Sequence, residues 1–164
     1  MKPTRQLIAI ALIALSGCSH HPTDPAVLTN REASLPAGLP YHPLEWSVIT
    51  STIDRQKGAM STLFGNDVAV HHARTSSDGA YPPGSVLSLV TWLQQDDKHW
   101  FGARIPARIE SIEFIKVDAT PDNQSSNSYE HYDGMSGKKL PVAESGAANM
   151  RINSILGQRA SVMP

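Results

Sequence analysis

The segment YPPGSVLSLVTWLQ, residues 81–94, determines the fold that the sequence predicts. Two prolines fix φ and the glycine after them permits a positive φ, so residues 81–84 predict a sharp turn. Residues 85–94 form a nearly continuous apolar run rich in valine, leucine and tryptophan, which is typical of a buried strand. We therefore expect a turn that leads into a central strand.

A second strand is expected directly after the first. The polar residues 94–99, QQDDKH, predict a turn, and residues 99–105, HWFGARI, predict the strand that follows it. Pro106 would close this strand, because proline cannot donate a hydrogen bond to a sheet. The two strands would form a hairpin.

Two further strands are expected along the chain. Residues 108–117, RIESIEFIKV, alternate apolar and polar side chains, but the alternation slips between Phe114 and Ile115. A β-bulge at that point would restore it. After a polar loop, a short strand carries aromatic side chains at Tyr129 and Tyr132.

Helices are expected before these strands. Residues 44–74 predict two short helices that break near Gly65 and Asn66, a residue that tolerates a left-handed φ. Asp67 would cap the second helix, which ends at Arg74. Three apolar residues of the first helix would face the core: Leu44, Val48 and Ile53.

The C-terminal part predicts a flexible stretch over residues 134–146 and then a possible helix over 149–159. Three apolar residues share one side of that helix: Ile152, Ile155 and Leu156. Helices that precede and follow a run of strands indicate an α+β fold, with an antiparallel β-sheet and a few short packed helices.

The amino terminus has the pattern of an exported lipoprotein. Two basic residues precede an apolar run over residues 7–15, which is too short to cross about 30 Å of hydrocarbon as a helix. Leu-Ser-Gly before Cys18 resembles a bacterial lipobox, in which the cysteine is acylated and becomes the first residue after cleavage. Ser19 stands where an Asp would imply the inner membrane, so the resemblance implies the periplasmic face of the outer membrane.

The sequence therefore divides into four parts. Residues 1–17 are the expected signal peptide, and the proline-rich residues 18–43 are the expected lipidated tether. Residues 44–133 form the expected domain, and residues 134–164 hold the flexible segment with the possible C-terminal helix.

Charge and cysteine content exclude several classes of protein. Without the two basic residues of the signal peptide, 12 basic residues face 15 acidic ones, a formal charge of −3, so no basic surface for nucleic acid is expected. Cys18 is the single cysteine of the chain. No disulfide can form within the chain, and apolar burial alone must hold the fold.

Three stretches resemble the cytochrome P-460 family, which comprises small periplasmic haem proteins with an antiparallel sheet and a few helices. They are Trp46, the segment MSTLFGNDVAV at residues 60–70, and YPPGSVLSLVTW at residues 81–92. The family has a similar Trp, an aromatic-x-Asn-x-x-Ala step into a helix, and Tyr-Pro-x-Gly before its first strand. The resemblance covers residues 44–133, and WFGAR at residues 100–104 continues it.

The haem of this family is attached through Cys-x-x-Cys-His near the carboxyl terminus, and the resemblance would imply hydroxylamine oxidation or nitric oxide binding at its iron. This sequence contains no Cys-x-x-Cys-His. No covalent cofactor and no catalytic residue can be carried over, so we expect a binding protein in place of an enzyme.

Histidines are the candidate ligands for a metal or for non-covalently bound haem. On a helix, His71 and His72 diverge by about 100° and cannot serve one ion together. The other two histidines outside the tether are His99, which is expected to be an edge residue where a strand leaves its turn, and His131, which lies between two tyrosines. The weak candidates for a ligand are His72 and His131. If some large rings face a cavity in place of the core, the candidate ligand pocket comprises Trp92, Trp100, Tyr129 and His131.

The expected function is that of a membrane-anchored periplasmic lipoprotein whose haem-less domain binds a small ligand or an envelope partner protein. A redox enzyme or gas sensor of the cytochrome P-460 type, with non-covalently bound haem, is the alternative. A purely structural component of the envelope is the third possibility.

Overall fold

The described part of the chain contains one antiparallel sheet of six strands. The structure is a computed structural model, which describes residues 30–76, 78, 80–122, 125–142 and 145–161. The predicted signal peptide and Cys18 lie outside the described residues. The strands follow the chain order across the sheet: β1 (Ser47–Asp54), β2 (Ala59–Gly65), β3 (Val86–Asp96), β4 (Arg104–Ala119), β5 (Ser125–Asp133) and β6 (Lys139–Leu140).

Two α-helices within the described residues cover one face of this sheet, α1 (Asp67–Thr75) and α2 (Ser145–Leu156). The predicted α+β fold with an antiparallel sheet is confirmed. So is the C-terminal helix, because all three of its predicted apolar residues are buried in the core under the sheet: Ile152, Ile155 and Leu156. Neither helix is long and apolar enough to cross a membrane.

The central strand β3 is buried on both faces, which explains its continuous apolar run. Leu87 and Leu89 point into the core that α1 and α2 cover. Val90 and Trp92 belong to the core on the opposite face. The predicted turn before β3 is also present, with Gly84 at φ 89°.

A long strand, β4, replaces the two strands predicted between residues 99 and 117. Residues 99–103 belong to the turn after β3, so the predicted strand over 99–105 and its closure at Pro106 are wrong. Pro106 is tolerated inside β4 because the pairing of β4 with β5 begins only at Ser111.

The predicted bulge between Phe114 and Ile115 is wrong. Both residues pair in register with β3 and with β5, and the register shifts of β4 against β3 lie further back, near Trp92. Phe114 and Ile115 are both apolar because they point into the two different cores. Burial on both faces removes the need for alternation.

A hairpin stands where the sequence predicted the first helix. β1 and β2 pair in antiparallel register, and Gly58 in their turn has φ 61°. The three residues expected to face the core are exposed, with relative exposures of 55%, 47% and 63% for Leu44, Val48 and Ile53. The segment VITSTI over residues 48–53 is rich in β-branched side chains, which favour a strand.

Asn66, and not Asp67, caps helix α1. Its φ is −66° with an extended ψ, so Asn66 does not use the left-handed conformation that asparagine tolerates. The Asn66 Oδ1 accepts hydrogen bonds from the backbone N–H of Ala69 and of Val86, each at 3.1 Å. Its Nδ2 donates to the Gly84 carbonyl at 2.9 Å, so one side chain joins α1, the turn and β3.

The described end of the predicted tether packs on the sheet. Leu39 is buried in the core opposite the helices, and Pro43 is also buried. The Trp92 Nε1 donates a hydrogen bond to the Ala33 carbonyl at 3.0 Å. Residues 31–43 therefore belong to the domain, and the stretch predicted as flexible after residue 133 contributes β6.

Gly134 should tolerate no side chain. A Cβ there would lie 2.5 Å from the backbone oxygen of Ile109 in β4. We expect Gly134→Ala to lower the free energy of unfolding by about 1–3 kcal/mol, because the backbone of β4 would have to move. The measurement is urea unfolding followed by circular dichroism.

Gly146→Ala is the matched control, since a Cβ at Gly146 meets nothing within 4 Å and the residue lies in α2. Alanine should leave stability unchanged or raise it by up to about 1 kcal/mol. Equal destabilisation by both substitutions would contradict the packing argument.

Candidate functional site

A cleft of about 500 Å³ lies between α2 and the end of the sheet formed by β4, β5 and β6. Its strand side presents Glu113, Tyr129 and His131. Its helix side presents Ala147, Ala148 and Arg151, and an apolar rim is formed by Leu140, Pro141 and Val142. The cleft thus combines a polar floor with apolar walls.

Strand pairing brings the polar residues together. Glu113 on β4 is directly opposite His131 on β5, and Ile115 is opposite Tyr129. Alternate residues of a strand share one face, so Glu113, Tyr129 and His131 lie on the face that α2 covers. On α2, Ala147 and Arg151 are four residues apart and share one side of the helix.

Glu113 is the centre of a hydrogen-bonded cluster at the cleft floor. The residue is only 3% exposed. The Arg151 guanidinium donates two hydrogen bonds to its carboxylate, from Nε to Oε2 at 2.8 Å and from Nη2 to Oε1 at 2.5 Å. The Tyr129 hydroxyl donates a third bond to Oε2 at 2.5 Å. Bidentate charge-assisted bonds of this kind are among the strongest in proteins.

The cluster fixes the charge of each member. Burial by itself would raise the pKa of Glu113, but the hydrogen bonds from Arg151 and Tyr129 outweigh it and the pKa lies below its usual value. Burial and the bond to Glu113 raise the pKa of Tyr129. The bond to Glu113 also raises the pKa of Arg151. Near neutral pH, the cluster is an ion pair that a neutral tyrosine completes.

The structure separates the four residues of the predicted pocket. Tyr129 and His131 line the cleft. Trp92 does not, because it lies in the core on the opposite face of the sheet. Trp100 does not either, because it is 73% exposed in the turn between β3 and β4. Face and register, which decide these positions, are not visible in composition.

The second weak metal candidate, His72, has no room for a large ligand. Its Nε2 lies 3.1 Å from Asp78 Oδ1, and its ring packs on Tyr81 with centroids 4.8 Å apart. The adjoining cavity is only about 20 Å³, enough for one water molecule. No group of three or more His, Cys, Asp or Glu that could hold a metal ion occurs among the described residues.

Glu113 and Arg151 were not among the site residues predicted from the sequence. The sequence did carry one indication of Glu113. It alternates along β4 with Ile115 and Val117, so its side chain lies on the same face as these two buried residues. A charged residue in the inward phase of a strand needs a partner. Arg151 lies next to the buried Ile152 on α2, but only the docking of α2 shows that it is that partner.

The fold and the cleft are those of a small antiparallel α+β domain with a C-terminal helix packed on its sheet. The family model for cytochrome P-460 matches residues 41–149, about two thirds of the chain. The chain therefore belongs to the cytochrome P-460 family, as the resemblance in its sequence implied. A search of curated proteins found no match.

The residues present do not fit the covalently attached haem of this family. Attachment through Cys-x-x-Cys-His needs two thiols and a histidine in one short segment, and residues 19–164 contain no cysteine. The cleft floor also carries a buried carboxylate, whereas a porphyrin face prefers apolar walls. Of the described histidines, His131 lines the cleft.

The ion pair at the cleft floor should control stability in a pH-dependent way. Arg151→Met leaves the buried Glu113 carboxylate without its cation. We expect it to lower the free energy of unfolding by about 3 kcal/mol at pH 7. This is the lower part of the usual range, because the Arg151 side chain is 44% exposed and solvent screens its charge. Urea unfolding at pH 7 and at pH 4 measures it. Arg74→Met, an exposed position on α1, is the control and should change stability by less than about 0.5 kcal/mol.

The sign of the pH effect follows from the pKa of Glu113. Because folding lowers this pKa in the wild type, the ion pair adds stability above the ordinary glutamate value of about 4.3 and loses it as the pH falls through the folded value. In Arg151→Met, the hydrogen bonds and the charge of Arg151 are lost while burial and the bond from Tyr129 remain, so the pKa of Glu113 is higher than in the wild type. Protonation of Glu113 therefore reduces the destabilisation of the variant as the pH falls. The difference between wild type and variant should therefore shrink from pH 7 to pH 4, and a constant difference would contradict the assignment.

Proposed function

We propose that this chain is a lipid-anchored envelope protein whose cytochrome P-460 domain binds a small ligand in the cleft under α2, without covalent haem and without catalysis. The observation that carries the proposal is the buried carboxylate of Glu113, paired with the half-exposed Arg151 at the floor of a cleft of about 500 Å³. A site of this kind suits a small molecule with an apolar body and one polar head group.

The placement of the ion pair supports a binding role. A buried charge held in an ion pair is often no more stabilising than an apolar residue of the same volume, so stability alone does not account for the buried Glu113. In ligand sites, by contrast, a few polar groups among apolar walls orient the ligand. The apolar rim of Leu140, Pro141 and Val142 would hold the body of the ligand, and Arg151 and His131 would face its head group.

The chemistry of the cluster supports binding over catalysis. A general base works best with a pKa near the operating pH. The pKa of Glu113 is lowered and that of Tyr129 is raised, so both lie further from neutrality than usual. Both groups are also committed to each other through the bond between Tyr129 and Glu113.

The proposed location rests on the amino-terminal sequence. The apolar run over residues 7–15 and the lipobox-like residues before Cys18 support acylation of that cysteine. Several acyl chains hold a protein firmly on a membrane, whereas one holds it only marginally. Ser19 after the cysteine supports the periplasmic face of the outer membrane. The protein would act as a tethered binder.

A fluorescent probe tests the cleft. Anilinonaphthalene sulfonate has an apolar body and an anionic head, and we expect it to bind the full-length protein near 1:1 with enhanced fluorescence. Ala148→Phe fills the cleft from the helix side and should weaken binding at least tenfold, because the large side chain takes the space of the probe.

Asn149→Phe is the matched control, one residue further along α2, exposed and outside the cleft lining. It should bind the probe as the wild type does. Thermal unfolding of both variants checks that they are folded. Equal binding by all three proteins would reject the cleft as the site.

The alternative, non-covalently bound haem, has one observation in its favour, since His131 lines the cleft and could supply an axial nitrogen. Titration with haemin tests it. A sharp Soret band that His131→Ala removes and His72→Ala retains would establish this alternative, because His72 adjoins a cavity of only about 20 Å³. We expect no such band, and its absence would remove the alternative.

A further inference from the structure

The turn between β3 and β4 displays two large aromatic side chains to solvent. Trp100 is 73% exposed and Phe101 is fully exposed. The turn itself is well defined: the Asp97 N–H donates to the Ala103 carbonyl at 2.9 Å, and the Ala103 N–H donates to the Trp100 carbonyl at 3.0 Å. Two adjacent rings held out at a tip are unfavourable in water and indicate a surface that contacts something apolar.

A groove of about 540 Å³ adjoins this tip. Arg55 and Arg104 line it, together with the apolar side chains of Ile53 and Met60. Gly102 of the aromatic turn also lines it, so groove and tip form one surface. Guanidinium groups bind phosphate oxygens in a bidentate manner, so the groove suits a phosphate beside apolar material.

The carboxylates at this end of the sheet are engaged in holding the turns. Asp54 accepts hydrogen bonds from the backbone N–H groups of Gln56 and Lys57, each at 3.0 Å. Asp97 accepts one from the N–H of His99 at 2.7 Å. Asp96 pairs with Arg104 at 3.2 Å. Arg55 makes no ion pair with a carboxylate of the described residues, which leaves its charge available to an anion.

The amino-terminal segment enters the domain in the same half of the sheet as the aromatic tip. Ala33 is hydrogen-bonded to Trp92, which lies four residues before the end of β3 and therefore close to the turn. The 13 residues from Cys18 to Asn30 span at most about 45 Å. If Cys18 carries lipid, as the proposed function requires, the bilayer is within reach of the tip.

We propose that the β3–β4 tip inserts Trp100 and Phe101 into the interface of a phospholipid bilayer, while Arg55 in the adjoining groove binds headgroup phosphate. Aromatic rings at such an interface place their apolar body near the acyl chains. The inference rests on the proposed lipid anchor. Because the anchor already holds the protein at the bilayer, the contact of the tip with the same bilayer is intramolecular, and a weak interaction is enough to maintain it. The domain would then have a fixed orientation on the membrane.

Quenching of tryptophan fluorescence by lipid tests the proposal. The full-length protein, isolated from its native envelope, is added to vesicles of phosphatidylethanolamine and phosphatidylglycerol that contain acyl-brominated lipid. We expect strong quenching in the wild type and little in Trp100→Phe, which keeps a ring but removes the fluorophore. Phe101→Ala and Arg55→Gln should each reduce quenching by about half or more, because the tip would insert less deeply.

Met150→Ala is the matched control, an exposed apolar residue on α2 with 70% relative exposure, and it should be quenched like the wild type. Trp46 and Trp92 supply the unquenched background, since they are half-buried and buried. Thermal unfolding should be unchanged in every variant, because the altered side chains are exposed.

The outcomes separate this inference from the proposed function. The intact mass reports the acyl chains on Cys18, whatever the tip does. Acylated protein without quenching of Trp100 would overturn the inference and leave the anchor standing. Absence of acyl chains would overturn the lipid anchor. Insertion of the tip is read separately from the quenching, and unquenched Trp100 in the presence of vesicles would overturn it in that case too. Burial of Trp100 against a second copy or another protein, seen as a blue shift without lipid, would also overturn it.

Discussion

The burial of β3 and β4 on both faces is the constraint on which the rest of the domain depends. Helices α1 and α2 pack on one face against residues such as Leu87 and Ile115, and the segment after residue 30 packs on the other against residues such as Trp92 and Phe114. Because each face of the sheet needs its own cover, the amino-terminal segment is a structural part of the domain and not only a connection to its start.

The sequence predicted the parts of the fold that local patterns determine. β3, β5 and α2 were found because long apolar runs, paired aromatic residues and helical spacing identify them without tertiary information. The first strand of the β1–β2 hairpin was predicted as a helix because Leu44 and Val48 are spaced as in a helix. The β-branched residues of the segment 48–53 were the better signal, because they favour a strand. The slip between Phe114 and Ile115 was mistaken for a bulge because two-sided burial and a bulge disturb the alternation alike.

Half of the candidate site was visible in the sequence. Tyr129 and His131 are two residues apart on one strand, so they share a face whatever the rest of the fold does. Only the register of the strands shows that Trp92 lies on the other face of the sheet. Only tertiary packing shows that Arg151 contacts Glu113, which is 38 positions away in the sequence. Pairing over such a distance leaves no local pattern, and for that reason the charged floor of the cleft was not predicted.

The same ion pair that makes the cleft polar also fixes the position of α2 on the sheet. The buried residues of α2, Ile152, Ile155 and Leu156, hold the helix on the sheet, but apolar contact is non-directional and would tolerate a shift along the strands. The bidentate bond of Arg151 to Glu113 would not, because a shift of one helical turn, about 5.4 Å, would leave a buried carboxylate unpaired at a cost of several kcal/mol. The Glu113–Arg151 pair therefore fixes the position of α2 along the strands, and with it the position of the charge at the cleft floor.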